Sequence, residues 1–170
     1  GKPAKWGITQ IRKKGLRDLG ASLGPEAAHR VAIGAETLAL RVQRQSENAM
    51  AMCEFWHAHL KIKKVYYPGL AEHPQHARAG ELFRAFGGLF SFELQSDVDL
   101  WEFLNRLQVI VKSSNLGDNR TLAIPVAHTI YFEMGPERRA SMGIDESLIR
   151  ISSGIEDSED LLADLSTALN

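Results

Sequence analysis

The apolar and polar positions divide the chain into segments of two kinds. Leu38, Val42, Ala49, Met52, Cys53 and Trp56 recur at three- and four-residue steps, which predicts a long helix over residues 35–60. Arg41, Arg44, Gln45, Asn48 and Glu54 fall on the opposite side and read as its polar face. At 1.5 Å per residue such a helix runs to about 39 Å, so it is expected to pass from one packing environment into another. Before it, Pro25-Glu26 reads as the first turn of a shorter helix over 25–33 that stops near Gly34. Residues 1–24 carry Lys2, Lys5, Arg12, Lys13, Lys14 and Arg17 against one acid, Asp18, with Gly7, Gly15, Gly20 and Gly24 between them. They read as an arm or linker with one helical turn between Trp6 and Leu19, its charges a solvated face.

Beyond residue 60 short strands and helices interleave. Strands are expected at 64–67, closed by Pro68-Gly69, and at 89–94, 109–111, 121–125 and 148–152. Helices are expected at 75–86 with Ala79, Leu82, Phe83 and Phe86 inward, and from a Ser96-Asp97 cap to 107 with Val98, Trp101, Leu104 and Leu107 inward. Two more are expected at 136–142 and at 159–169, the last capped by Asp157 or Ser158. Short connections and few strands point to an α+β fold. It is a two-layer sandwich, a largely antiparallel sheet of four to five strands with helices on one face. No repeat of 20–50 residues is visible.

Composition narrows the function classes. The 170 residues are 44% hydrophobic and 24% charged, as in globular domains, and the net charge of −1 supplies no basic field for nucleic acid. One cysteine excludes a disulfide framework and a cysteine-rich zinc site, and fits a reducing, cytoplasmic setting. No apolar run is long enough to span a membrane, and no apolar signal stretch opens the chain. It begins at Gly1 rather than Met, which reads as a trimmed or processed start.

Motifs for phosphate loops, dinucleotide folds, serine hydrolases and H-E-x-x-H zinc sites are absent. His57 and His59 sit two apart on a helix and share no face, and His73 and His76 flank Pro74 without a cysteine nearby, so no metal site is expected. Cys53, in mid-stripe, reads as a small buried hydrophobe. Arg150 is more informative. In Leu148-Ile149-Arg150-Ile151-Ser152 the arginine occupies the middle of an apolar strand, where an unpaired charge is costly. It needs an anion, either an internal carboxylate or a bound one, and its planar fork suits a bound carboxylate. The polar loop Ser113-Ser114-Asn115-Leu116-Gly117-Asp118-Asn119 is a second candidate for orienting a ligand.

Several segments together resemble one family. They are Val65-Tyr66-Tyr67-Pro68-Gly69-Leu70 with His73-Pro74-Gln75-His76; Gly88-Leu89-Phe90-Ser91-Phe92-Glu93-Leu94; Asn115-Leu116-Gly117-Asp118; Pro125 with Thr129; and Arg150-Ile151-Ser152-Ser153-Gly154-Ile155-Glu156-Asp157. Thr37-Leu38, Arg41 and Asn48-Ala49 add to them. Their order and spacing resemble the C-terminal part of the Cys/Met-metabolism enzymes that use pyridoxal phosphate: cystathionine γ-synthase, the cystathionine lyases, methionine γ-lyase and the homoserine-ester sulfhydrylases. The likeness runs from about residue 20 to the end.

The resemblance implies a division of the chain. Residues 1–34 would be the tail of a large cofactor-binding domain with its linker, 35–60 an interdomain helix, and 61–170 a C-terminal domain that closes over the substrate. It implies that Arg150 grips the α-carboxylate of an amino-acid substrate, with Asn115 beside that carboxylate and Thr129 a substrate-binding residue at the active-site edge. The family attaches pyridoxal phosphate to a lysine in a Ser-x-Thr-Lys segment of the large domain, and no lysine here has that context. The catalytic and cofactor-binding residues would therefore lie upstream, and this chain alone would be inactive. The parent would be a C–S lyase or γ-replacement enzyme of sulfur amino-acid metabolism, a homodimer or homotetramer. A stand-alone, non-catalytic binding domain of the same fold is the alternative, marked by the absence of a copurifying cofactor-bearing polypeptide.

Overall fold

The computed structural model describes residues 3–20 and 22–170, so Lys2 of the basic arm lies outside the described residues. The chain divides into two compact units, Gly1–Leu38 and Ala39–Asn170. The first is helical. Helix α1 (Pro3–Gln10) leads through a wider π-helical stretch, Ile11–Leu16, into the single turn α2 (Arg17–Leu19). More of this arm is helical than the one turn expected. It ends at Gly20, whose φ of +66° is a left-handed position that glycine occupies without strain. Helix α3 (Pro25–Glu36) begins at Pro25 as expected but continues through Gly34. A glycine inside a helix costs only about 1 kcal/mol relative to alanine, too little to end it by itself. Trp6, Ile8, Ile11, Leu19, Leu23, Val31 and Ile33 are exposed on these helices and the segments between them.

The second unit is built on helix α4 (Leu38–His57) and a five-stranded sheet. The strands are β1 (Ile62–Tyr66), β2 (Leu89–Leu94), β3 (Val111–Lys112), β4 (Leu122–Pro125) and β5 (Leu148–Ser152). Their order is β1-β2-β5-β4-β3, antiparallel except for the parallel β3–β4 pair. Helices α5 (His76–Leu82), α6 (Leu100–Arg106), α7 (Pro136–Ser141) and α8 (Ser158–Leu169) complete it. The expected α+β sandwich is thus the observed architecture.

Register decides what each sheet face does. Phe90 pairs with Ile151, Phe92 with Ile149 and Ala123 with Ile151, so these side chains share one face. They form a single core with Ala49, Met52, Cys53 and Trp56 of α4, Leu100, Phe103 and Leu104 of α6, and Leu161, Leu165 and Leu169 of α8. Trp56 is its centre, with ring centroids 3.9 Å from Phe92 and 5.5 Å from Phe90. The opposite face carries the row Tyr66–Ser91–Arg150–Ile124.

Further expectations change. Trp101, expected inward on α6, is exposed, and Leu100, Phe103 and Leu104 are the buried residues of that helix. Leu38 and Val42 are exposed, whereas Gln45 and Asn48, placed on the polar face, are buried. Leu82 and Phe83 are exposed and α5 ends before Phe83. The cap of α6 is Asp99, which accepts from the Glu102 backbone N–H, rather than Ser96 or Asp97. Strand β3 starts at Val111 rather than Val109, because Asp164 of α8 accepts the backbone N–H groups of Gln108, Val109 and Ile110 at 2.8, 3.0 and 3.0 Å. Those donors are therefore not free for a sheet ladder.

Removing the Asp164 carboxylate leaves those three donors without their acceptor. Asp164→Ala is expected to cost about 3 kcal/mol, read as a lower midpoint of urea unfolding with an unchanged slope. Cys53 is fully buried, and burial, with Glu54 beside it, pushes its thiol far above the usual range. A thiol reagent at neutral pH should label Cys53 only after denaturant is added; rapid labelling of the native protein contradicts this packing.

Candidate functional site

Arg150 is half-buried in the middle of β5. Its Nη2 donates to two backbone carbonyls of the polar loop, Ser114 O at 2.9 Å and Asn115 O at 3.3 Å. Its Nε is buried and has no hydrogen-bond partner. Among the described residues no carboxylate forms an ion pair with it. Carbonyl oxygens orient a guanidinium but supply only partial negative charge, so the cation lacks its counter-ion. Of the two partners open at the sequence level, the internal carboxylate is absent among these residues.

The loop that carries those carbonyls is itself pinned. Gly117 has φ +74°, and its N–H donates to Ser152 Oγ at 2.9 Å. The Ile155 N–H donates to Asn119 O at 2.9 Å. Asp118 accepts from the Arg120 N–H and guanidinium, which hold its carboxyl below the usual range. The Glu156 carboxylate accepts from Thr121 N at 2.5 Å and Thr121 Oγ1 at 2.8 Å. From α4, Gln45 Nε2 donates to Asp118 O at 2.9 Å, and Asn48 Nδ2 donates to Gly154 O at 3.1 Å and Glu156 O at 2.9 Å.

The other two expected site residues take different places. Asn115 is exposed, and it is its carbonyl that meets Arg150. Thr129 makes no bond to Arg150; its hydroxyl donates to Pro125 O at 2.6 Å. Thr129 lines a cavity of about 280 Å³ with Ser113, Ser114, Ile124, Trp101 and Lys112, so it shares the 113–114 segment with Arg150. The Lys112 amine is given to Asn105 Oδ1, and that of Lys63 to Glu93 and Asp145.

Sequence reasoning missed Gln45 and Asn48, whose amides are the only signal, and it missed a cluster on the Arg150 face of the sheet. Buried Glu93 accepts from Tyr66 Oη at 2.5 Å and pairs with Lys63 at 2.8 Å, and Lys63 also pairs with Asp145 at 2.8 Å. Burial and the bond to Glu93 push the Tyr66 phenol up to about 12. Burial alone would raise the Asp145 carboxyl, but hydrogen bonds from Lys63 and Ser147 outweigh it and hold the group near 2. Two of the histidines have structural partners: His76 Nδ1 lies 2.8 Å from Pro68 O with its ring stacked on Phe86, and the His128 ring packs on Trp101. Among the described residues no cluster of His, Cys, Asp or Glu could hold a metal ion, and no helix is long and apolar enough to cross a membrane.

The sequence model of the Cys/Met metabolism PLP-dependent enzymes matches residues 4–170. O-acetyl-L-homoserine sulfhydrylase 1 of Thermus thermophilus is 39% identical over 164 residues, which are 95% of this chain and 39% of that protein. Cystathionine gamma synthase of Xanthomonas oryzae, solved in complex with cystathionine, superposes with a TM-score of 0.82 at 37% identity, over 89% of this chain and 40% of that one. An O-acetylhomoserine (thiol)-lyase structure from Campylobacter jejuni, which contains N'-pyridoxyl-lysine-5'-monophosphate, gives a TM-score of 0.87 at 36% identity over 95% of this chain and 39% of that one. The chain thus spans about two fifths of the relatives it matches.

The depressed Asp145 value has a direction in pH. A carboxyl lowered in the folded state contributes stability that is full above its ordinary value, near pH 4, and is lost as pH falls towards about 2. Asp145→Asn should therefore flatten the fall of the unfolding midpoint between about pH 4 and 2. An unchanged acid profile contradicts the assignment.

Proposed function

The chain belongs to the Cys/Met-metabolism family of pyridoxal-phosphate-dependent enzymes, and on that premise we propose that it supplies the substrate-carboxylate grip of such an enzyme. The observation that carries this reading is Arg150: a guanidinium oriented by two carbonyls, its Nε unpartnered, with no internal carboxylate among the described residues. An amino-acid carboxylate supplies both the missing charge and an acceptor for Nε, in the parallel two-bond geometry that arginine favours. Asn115 borders that position, and Thr129 lines the neighbouring cavity.

The substrate is a sulfur amino acid or a homoserine ester, and the reaction is elimination or replacement at its β or γ carbon. The cofactor, when bound to a lysine upstream of this chain, serves as the electron sink. This chain's residues bind and orient. A carboxylate fixed at Arg150 limits how the substrate can turn, which sets which bond at Cα faces the cofactor. Residues 1–34 form the tail of the cofactor domain, 35–60 the interdomain helix and 61–170 the closing domain. The whole is a cytoplasmic homodimer or homotetramer. The identity of relatives that carry out several of these reactions supports the family chemistry and leaves the choice among them to the upstream residues.

Arg150→Ala in the full-length, cofactor-loaded enzyme should lower kcat/KM by about a hundredfold or more, with the folded-state circular dichroism retained. Arg150→Lys should recover part of that loss, since a point charge replaces the charge but not the fork. An Arg150→Ala protein with near-normal kcat/KM, or one that unfolds, assigns the residue a structural role instead.

A further inference from the structure

Gln45 and Asn48 lie three residues apart on α4, both buried, and both spend their amide donors on backbone carbonyls more than 70 residues away in sequence. We propose that they are positioning residues for Arg150, through which α4 sets the place of the 113–120 loop and hence the direction of the guanidinium fork. The proposal rests on the reading of Arg150 as the carboxylate grip.

The argument runs from the fork outward. Arg150 Nη2 is held by Ser114 O and Asn115 O, so the fork lies where that loop lies. The loop has little apolar anchorage of its own, since Leu116 is 55% exposed and Ser114, Asn115 and Asn119 are exposed. Polar contacts hold it instead. Gln45 reaches Asp118 O directly. Ser152, Ile155 and Glu156 hold Gly117, Asn119 and Thr121. The 153–156 turn that supplies the last of these is fixed by Asn48, with Arg44 Nη2 adding a bond to Glu156 O at 3.3 Å. Apart from the Ser152 hydroxyl on β5, the supports of the loop therefore trace back to one face of α4.

Two further features fit this role. Asn48 uses its donor twice while its Oδ1 is buried without a partner, so the residue serves as a donor to backbone. Gly88 lets helix and turn approach: a Cβ there would stand 3.0 Å from Gln45 Cβ and 3.4 Å from Ser153 Cβ. An apolar residue at 45 or 48 could fill the same volume without the desolvation cost of an amide. What it could not do is hold a carbonyl in place.

The test uses the full-length, cofactor-loaded enzyme and two probes followed by the cofactor's absorbance: L-alanine, which carries a carboxylate, and ethylamine, which does not. Gln45→Met removes the donor at similar length. It should weaken L-alanine binding about three- to tenfold, the factor for one neutral hydrogen bond, and leave ethylamine unchanged. Gln45→His, which restores a donor, should recover the affinity, and the loss of turnover should appear in KM rather than kcat. Gly88→Ala, which crowds Gln45, should give the same pattern if Gln45→Met does not fold. Equal weakening of both probes, or of neither, overturns the positioning role. Arg150→Ala as a parallel control separates the two levels. If it weakens L-alanine selectively while Gln45→Met and Gly88→Ala do not, the carboxylate grip stands and the positioning role falls. If Arg150→Ala leaves L-alanine unaffected, both fall.

Discussion

A guanidinium placed in the middle of a central strand must be compensated, and the second unit of this chain is arranged around that demand. Arg150 lies on β5, the middle strand of the sheet, with β2 on one side and β4 on the other. Its own strand buries Ile149 and Ile151 against the core, so the strand cannot shift register without exposing both. The core fixes the arginine's Cα, and the loop carbonyls fix its tip. What they leave is a charge and an unpaired Nε, and the proposed carboxylate grip rests on that pair of features.

The two faces of the sheet divide the work. One is apolar and closed by α4, α6 and α8 around Trp56. The other holds polar groups in pairs: Tyr66 and Lys63 on Glu93, Lys63 again on Asp145, and Arg150 on the loop. Glu93 is compensated within the chain and Arg150 is not. That asymmetry singles out the arginine among the buried or half-buried ionic groups of this face.

The sequence made the core legible where apolar residues repeat at helical or strand spacing, as in Ala49, Met52, Cys53 and Trp56, or Phe90 and Phe92. It misled where a side chain's role depends on a distant backbone. Gln45 and Asn48 look like solvated residues by type, yet each finds carbonyls contributed by segments that only the fold brings near. Val109 and Ile110 look like strand, yet Asp164 takes their N–H groups first. The cap of α6 was legible as to residue type but not position, because Ser96, Asp97 and Asp99 all suit it and only Asp99 meets the Glu102 N–H. The strand position of Arg150 was legible as a problem of charge. The family resemblance supplied an expected partner, and the absence of an internal carboxylate among the described residues now supports it.

The central claim is that Arg150 awaits the α-carboxylate of an amino acid. A crystal structure of the full-length, cofactor-loaded protein with an unreactive amino acid bound tests it most directly. The account predicts both carboxylate oxygens within hydrogen-bond distance of the Arg150 guanidinium, one of them on Nε, with the Ser114 and Asn115 carbonyls still holding Nη2. An amino acid bound with its carboxylate on other residues, and Nε of Arg150 still without a partner, would contradict it.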